Sequence, residues 1–171
     1  MKKNHTKLMC MSGIFSALVF VITAYLHIPT HNGYVHCGDG LIFLAACILP
    51  MPYSIVVGAL GAMLADLLTG FAIWAPGSML IKGALAALFS YKAKKILTTK
   101  NLIMLLPAAL ISVVGYYLYE ALIITGNFVA SLAGIPASII QAVASSIVFV
   151  VAGVAMDKYN IKEKMLEDYS R

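Results

Sequence analysis

From Leu8 to Leu26 the chain runs without one charged side chain, and apolar runs of the same kind recur as far as residue 156. A helix needs about 20 predominantly apolar residues to cross the hydrocarbon of a bilayer. Only 11% of the chain is charged, 61% is hydrophobic, and the mean hydropathy is +0.92. A soluble domain carries about a quarter charged residues, and a disordered chain needs low hydrophobicity with high net charge. Both are excluded, and an integral membrane protein remains. The net charge of +5 is not gathered on one exposed face, so no nucleic-acid partner is expected. Cys10, Cys37 and Cys47 are odd in number and lack a CxxC spacing, which indicates neither a disulfide framework nor a zinc site. Lys2, Lys3 and Lys7 precede the first run as in a signal peptide. That run is too long for one and no small-residue cleavage site follows, so it is expected to be retained.

Six spans are expected, at about 8–26, 40–50, 53–70, 77–92, 102–125 and 137–156. They form a single all-α transmembrane domain over residues 1–171 with no room for a separate extramembrane domain. Pro50 and Pro52 set the turn between the short second span and the third. Eleven of the twelve basic residues precede span one, lie between spans four and five, or follow span six. The alternate loops, 27–39, 71–76 and 126–136, carry no Lys or Arg. The positive-inside rule then places both termini in the cytoplasm. The acidic residues of the tail, Asp157, Glu163, Glu167 and Asp168, mix with lysines as a solvated helix end.

The remaining charges, Asp39, Asp66, Lys82 and Glu120, fall within or at the start of apolar spans. Ionisable groups at membrane depth are costly unless paired or facing a cavity, which makes them functional candidates. At 1.5 Å per residue, Lys82 lies about 8 Å from Gly77, Glu120 about 9 Å from Gly126, Gln141 about 8 Å from Pro136 and Asp66 about 6 Å from Gly70. Each distance runs from the outer end of its span. The polar groups therefore converge on one layer near the external surface, as in an outward-opening pocket. Lys82 and Glu120 are expected to meet, as a structural pair or as a ligand clamp. Tyr116, Glu120 and Asn127 follow helical spacing on one face, with Tyr117 and Tyr119 pointing elsewhere. Trp74, the sole tryptophan, lies in the loop before Lys82. Aromatic walls with a few fixed polar groups are typical of small-molecule sites.

The first external loop, HIPTHNGYVHCGD (27–39), holds His27, His31 and His36. With Asp39 these could ligate a divalent metal, but loop histidines commonly bond water and backbone, and no metal site is assigned. In span one, Ser12/Ser16 and Gly13/Ala17 are overlapping small-xxx-small pairs that permit close helix approach. They are read as internal packing or as a groove for another subunit's helix. Gly58, Gly61, Ala62 and Ala65 make a similar stripe in span three.

The strings GYVHCGDGLIFLAACILP (33–50) and GALGAMLADLLTGFAIWAPGSMLIKGALAAL (58–88) resemble the substrate-binding S-component of energy-coupling factor (ECF) vitamin transporters, in its vitamin-B6 and hydroxymethylpyrimidine branch. The matching positions are Gly33, Tyr34, His36, Gly38 and Asp39, then Asp66, Gly70, Ala75, Pro76, Lys82 and Gly83. The resemblance implies six helices with both ends inside, in the plasma membrane of a prokaryote, and a vitamin site near the external face. It also implies a membrane coupling protein and two cytoplasmic ATPases as partners. Helix one of such proteins docks on the coupling protein through Ala-x-x-x-Ala contacts. Here Ser12, Gly13, Ser16 and Ala17 occupy the corresponding surface. Nickel and cobalt members begin Met-His, whereas this chain begins Met1-Lys2, which argues against metal transport. The sequence contains no P-loop, so the chain is not expected to be an enzyme or to hold a cofactor, and ATP is expected to be used by the partner subunits.

The expected substrate-binding set is His36, Asp39, Trp74, Lys82, Tyr116, Glu120, Asn127 and Gln141. Gly33, Gly38, Asp66, Gly70 and Pro76 are expected to be structural or gating. Carboxylates accept donor-rich edges, and Lys82 suits an oxygen of the ligand. Pyridoxine-type vitamins, thiamine pyrimidine precursors and queuine-like 7-deazaguanine bases all fit between Trp74 and Tyr116. Two other classes compete with this binding module. An autonomous transporter would couple protons through Glu120 or Asp66, and a small intramembrane enzyme would use His36 and Asp39 as acid and base.

Overall fold

The computed structural model describes residues 5–30 and 33–167. Lys2, Lys3, His31, Asp168 and Arg171 of the sequence reading lie outside them. Helix α1 (His5–Tyr25) leads into a hairpin of β1 (His27–Pro29) and β2 (Tyr34–His36). Helices α2 (Asp39–Ile48), α3 (Met51–Leu68) and α4 (Ala75–Leu88) follow. Next come the short α5 (Thr99–Ile103), α6 (Leu105–Tyr119) and a π-helical turn, Glu120–Ile124. The chain ends in α7 (Phe128–Ser131), α8 (Ile135–Lys158) and α9 (Ile161–Glu167).

A helix stands over each of the six expected spans. Among the described residues, four helical stretches are long and apolar enough to cross a membrane: His5–Tyr25, Met51–Leu68, Thr99–Ile124 and Phe128–Lys158. Asp39–Ile48 and Ala72–Leu88 are apolar but shorter. The all-α expectation needs one amendment. The first loop is an antiparallel hairpin pairing His27 with His36, Ile28 with Val35 and Pro29 with Tyr34. Its two strands bond each other, which a short polar segment between two helices does not announce.

The bundle is apolar on the outside as well as inside. Leu80, Leu106, Leu110, Ile147 and Val151 are exposed, as expected where the surrounding medium is hydrocarbon and helices associate through close packing. Gly58 lets α3 and α4 touch, since a Cβ there would stand 2.7 Å from the carbonyl oxygen of Lys82. At Gly61 a Cβ would meet Val19 at 2.7 Å, where α3 crosses α1. The small-residue stripe of α3 is thus internal packing. Ser12 and Ser16 are buried on the same side of α1, with Ser12 Oγ donating to Leu8 O at 2.8 Å. They are not available for docking, which corrects the reading that grouped them with Gly13 and Ala17. Those two are exposed, and nothing lies within 4 Å of a Cβ placed at Gly13. Successive pairs one residue apart point about 100° apart around a helix.

At the end opposite the hairpin, the segment 89–98 is tied down by three side chains, buried Asn101 and Lys162 and half-buried Asp157. Asn101 accepts from Ser90 N at 3.0 Å and donates to Ile96 O at 2.9 Å. The Asp157 carboxylate accepts from Ile96 N at 2.7 Å and Leu97 N at 2.9 Å. Lys162, 1% exposed, donates to Tyr91 O at 2.8 Å and to Ala93 O. Asp157 and Lys162 are therefore structural anchors, not part of a freely solvated tail. Both are held in because each charge meets backbone groups that have no other partner in a helix-free segment. Asp157→Ala is expected to cost about 1–3 kcal/mol, since it strands two part-buried amides. Thermal unfolding together with tryptic cleavage at Lys92, Lys94 and Lys95 checks this. Cleavage at the wild-type rate would refute the anchoring role.

Candidate functional site

The cavity lies at the hairpin end, between the hairpin and the starts or ends of α3, α4, α6 and α8. It is partly open to the surface and measures about 100 Å³. A single water needs roughly 10–15 Å³ in that measure, so the space admits a flat ring system with any longer substituent reaching outward.

Its aromatic side is built on α4 and α6. Trp74 leads into α4, where Pro76 occupies the first turn, a position that needs no amide hydrogen. The Trp74 ring stands 5.8 Å from Tyr116 and 5.9 Å from Tyr119. Tyr119 also donates to Ile73 O at 2.7 Å, so it buttresses the wall from behind. The reading that it points elsewhere holds for the cavity but missed this support. Tyr116 OH and Ser78 Oγ share a hydrogen bond of 3.0 Å.

Polar groups enter from the other sides. Asp66 and Gln141 are 4% and 5% exposed, and both line the cavity. Glu120 lines it too, from the first residue of the π-helical turn. π-bulges of this kind are frequent at functional sites. Tyr34 closes the hairpin side, its hydroxyl donating to Asp66 Oδ1. Burial first, and the Asp66 carboxylate next, hold the Tyr34 phenol well above its ordinary pKa. His36, two residues along the same strand face, also lines the cavity. Gly38 N–H donates to His36 Nδ1 at 3.1 Å, which leaves the ring proton on Nε2. Burial pushes the His36 pKa down to about 4 against the opposing pull of Asp39, so the ring is neutral at neutral pH.

Asp39 and Lys82 are not in the wall but beneath it. Lys82 Nζ donates to Asp39 Oδ2 at 2.8 Å, and Gln141 Nε2 donates to the same oxygen at 3.3 Å. Lys82 is fully buried and Asp39 is 1% exposed. The ammonium also lies 4.7 Å from the centroid of the Tyr116 ring, which roofs it. This corrects the expected pairing of Lys82 with Glu120. The start of α2 is wedged between α4 and α8 and brings Asp39 to Lys82. Below the ion pair, Phe43, Phe89 and Phe149 fill the bundle axis, with centroids 4.6, 5.9 and 5.5 Å apart.

Asn127 does not reach the cavity. It is exposed, and its side chain caps α7 by accepting from Val129 N at 2.9 Å and Ala130 N at 3.0 Å. The π turn and the positive φ of Gly126 break the helical spacing that placed it beside Tyr116 and Glu120. Asp66, expected as structural or gating, is part of the wall. Gly70, at φ +89°, ends α3 in the left-handed region that favours glycine. Gly38 is required by crowding, since a Cβ there would stand 2.3 Å from Thr23 Oγ1. Gly33 lines the cavity against Trp74. Ser78 and Ser138 were missed, although they precede Lys82 and Gln141 by four and three residues on the same helical faces. Tyr34 was quoted in a motif but given no role. Among the described residues no three His, Cys, Asp or Glu side chains cluster as a metal site.

Similarity to known proteins follows the same lines. The S component of a bacterial ECF transporter matches with a TM-score of 0.75 at 18% identity, over 91% of this chain and 98% of that one. At that identity the likeness concerns the fold. No curated protein matches the chain. A family model described as "ECF-type riboflavin transporter, S component" matches residues 3–158. It is the riboflavin type, not the vitamin-B6 and hydroxymethylpyrimidine branch that the motifs resemble, which is thereby set aside. With most of its length matched, the chain belongs to the family of ECF-type riboflavin transporter S components.

Proposed function

We propose that this chain is the substrate-capturing subunit of an ECF importer and holds a flat heteroaromatic micronutrient of the flavin type. The observation that carries this reading is the cavity itself. Trp74 and Tyr116 wall it, and Asp66, Glu120 and Gln141 converge on it from three different helices. The phenylalanine stack beneath the ion pair favours capture over conduction, because it sets three packed apolar rings below the cavity. In this reading six helices cross the plasma membrane of a prokaryote, both termini are cytoplasmic, and the cavity faces outward. The lysine-free loops at the hairpin end support that orientation. Transport then requires a membrane coupling protein and two ATPases that hydrolyse ATP.

Titration of the purified protein with riboflavin, other vitamins and 7-deazaguanine bases tests the reading through the fluorescence of Trp74. Saturable quenching by a flavin at submicromolar concentration is expected. A flat response across the panel, with calorimetry also flat, would overturn it. Uptake by the chain alone, abolished by an uncoupler, would favour a proton-coupled transporter instead.

A further inference from the structure

The two ends of the bundle are finished differently. Among the described residues from 21 to 88 and from 105 to 156, the acidic and basic side chains are Asp39, Asp66, Lys82 and Glu120, and all four are buried. The other end carries exposed Lys92, Lys94, Lys95, Lys100 and Lys158. Where charges would stand, the hairpin end shows apolar side chains: Ile28 on β1, Ile73 just before α4 and Val129 on α7, each more than half exposed. Tyr25, at the end of α1, is exposed as well, as tyrosines at a membrane boundary are. These residues flank the mouth of the cavity. Thr30 and Gly33 of the hairpin line it, as do Trp74, next to Ile73, and Ala133, next to exposed Leu132.

Helix lengths put this rim at the boundary of the bilayer. The exposed lysines of segment 89–98 hold the far end of α4 at an aqueous surface. From Leu88 back to Ile73 the chain rises about 23 Å at 1.5 Å per residue, short of the hydrocarbon thickness of about 30 Å. Across the mouth, α8 has 24 residues. It spans about 36 Å on the same rise, beyond the hydrocarbon but within the about 40–45 Å of the whole bilayer. By this count neither side clears the headgroups, and helix tilt lowers both. We infer that the rim of the cavity is seated in the headgroup layer, with Ile28, Ile73 and Val129 against lipid, so that the mouth opens at the membrane interface. Exposed apolar residues gathered around a polar opening mark an interaction surface. The occupant is lipid because the cluster continues the apolar belt of Leu80 and Ile147 and carries no charge. This goes beyond the reading of the ligand and does not depend on it.

Photolabelling of the wild-type full chain tests this, in vesicles of phosphatidylcholine that carries a diazirine on the upper carbons of one acyl chain. Mass spectrometry of the peptides reads the labelled positions. Ile28, Ile73 and Val129 are expected to be labelled within about threefold of lipid-facing Leu80 and at least about tenfold more than Lys94, because interfacial apolar groups sit among the headgroups and upper chains. Labelling of any of the three at the level of Lys94 would overturn the inference and leave the rim to water or to a protein. Trp74→Phe combined with Val129→Trp gives a second readout, with the sole indole on the rim. Its fluorescence is expected to be quenched by phosphatidylcholine brominated on the upper acyl carbons and to be shielded from aqueous iodide. Strong iodide quenching without bromolipid quenching would overturn the inference equally. Should the double variant not fold, the wild-type labelling still decides. A chain labelled as expected that binds no flavin would overturn the ligand reading alone.

Discussion

Lys82→Met is expected to be the most damaging single substitution in the bundle, lowering stability by about 3–5 kcal/mol. It removes the counter-charge from Asp39, whose Oδ1 already lacks a partner among the described residues, and leaves a carboxylate 1% exposed beneath the cavity. Breaking a buried pair costs that much because the remaining ion is desolvated without compensation. Thermal unfolding in detergent should fall by roughly 6–20 °C for a chain of this size. The companion experiment is Lys82→Met combined with Asp39→Asn. Removing both charges at similar volume is often close to neutral, so the double variant should regain most of the lost stability. It should also bind ligand within about threefold of wild type, since neither side chain lines the cavity. A double variant as unstable as the single one would show that the pair is not what holds α2 to α4. A folded double variant that binds nothing would show that Lys82 touches ligand after all.

Glu120→Gln is the complementary case, with the larger effect on binding and the smaller one on folding. Losing a charged partner in a desolvated site costs about 2 kcal/mol or more, hence at least about 30-fold in affinity. The π turn that positions residue 120 is held by backbone and by Thr125, whose N–H and hydroxyl donate to Glu120 O at 2.9 and 3.1 Å. The carboxyl group takes no part in those two bonds, so the π turn itself should survive the substitution and the variant should still melt as a folded protein. Gly134→Ala should weaken binding in the same direction through displacement, because its Cβ would stand 2.7 Å from Glu120 Oε2. Calorimetry on both variants decides the point. Unchanged affinity in Glu120→Gln would remove Glu120 from the site, and loss of folded protein would make it a structural residue.

Much of the architecture could be read in advance because it depends on local quantities. Helix positions follow from where apolar runs begin and end, and proline marks the starts of α3 and α4. The depth of each polar residue follows from counting at 1.5 Å per residue. That count correctly gathered Asp66, Glu120 and Gln141 around one cavity and put Lys82 at nearly the same level. The aromatic pairing of Trp74 with Tyr116 was legible for the same reason.

Depth does not give azimuth. Whether Lys82 meets Asp39 or Glu120 depends on how α2, α4, α6 and α8 are rotated about their own axes, and apolar residues on every face leave that rotation unmarked. The split of Ser12 and Ser16 from Gly13 and Ala17 has the same origin, since both pairs satisfy the spacing and only contact with α3 chooses between them. Asn127 failed for a different reason, because one extra residue in the π turn shifts everything after it around the helix. Asp157 and Lys162 look like solvated charges until the segment 89–98 folds back and offers them its amides and carbonyls. The sequence by itself determined that the chain is a membrane bundle with a polar layer near one end. The tertiary structure alone decided which charges neutralise each other and which line the cavity, because pairing across helices is set by packing between residues far apart in the chain.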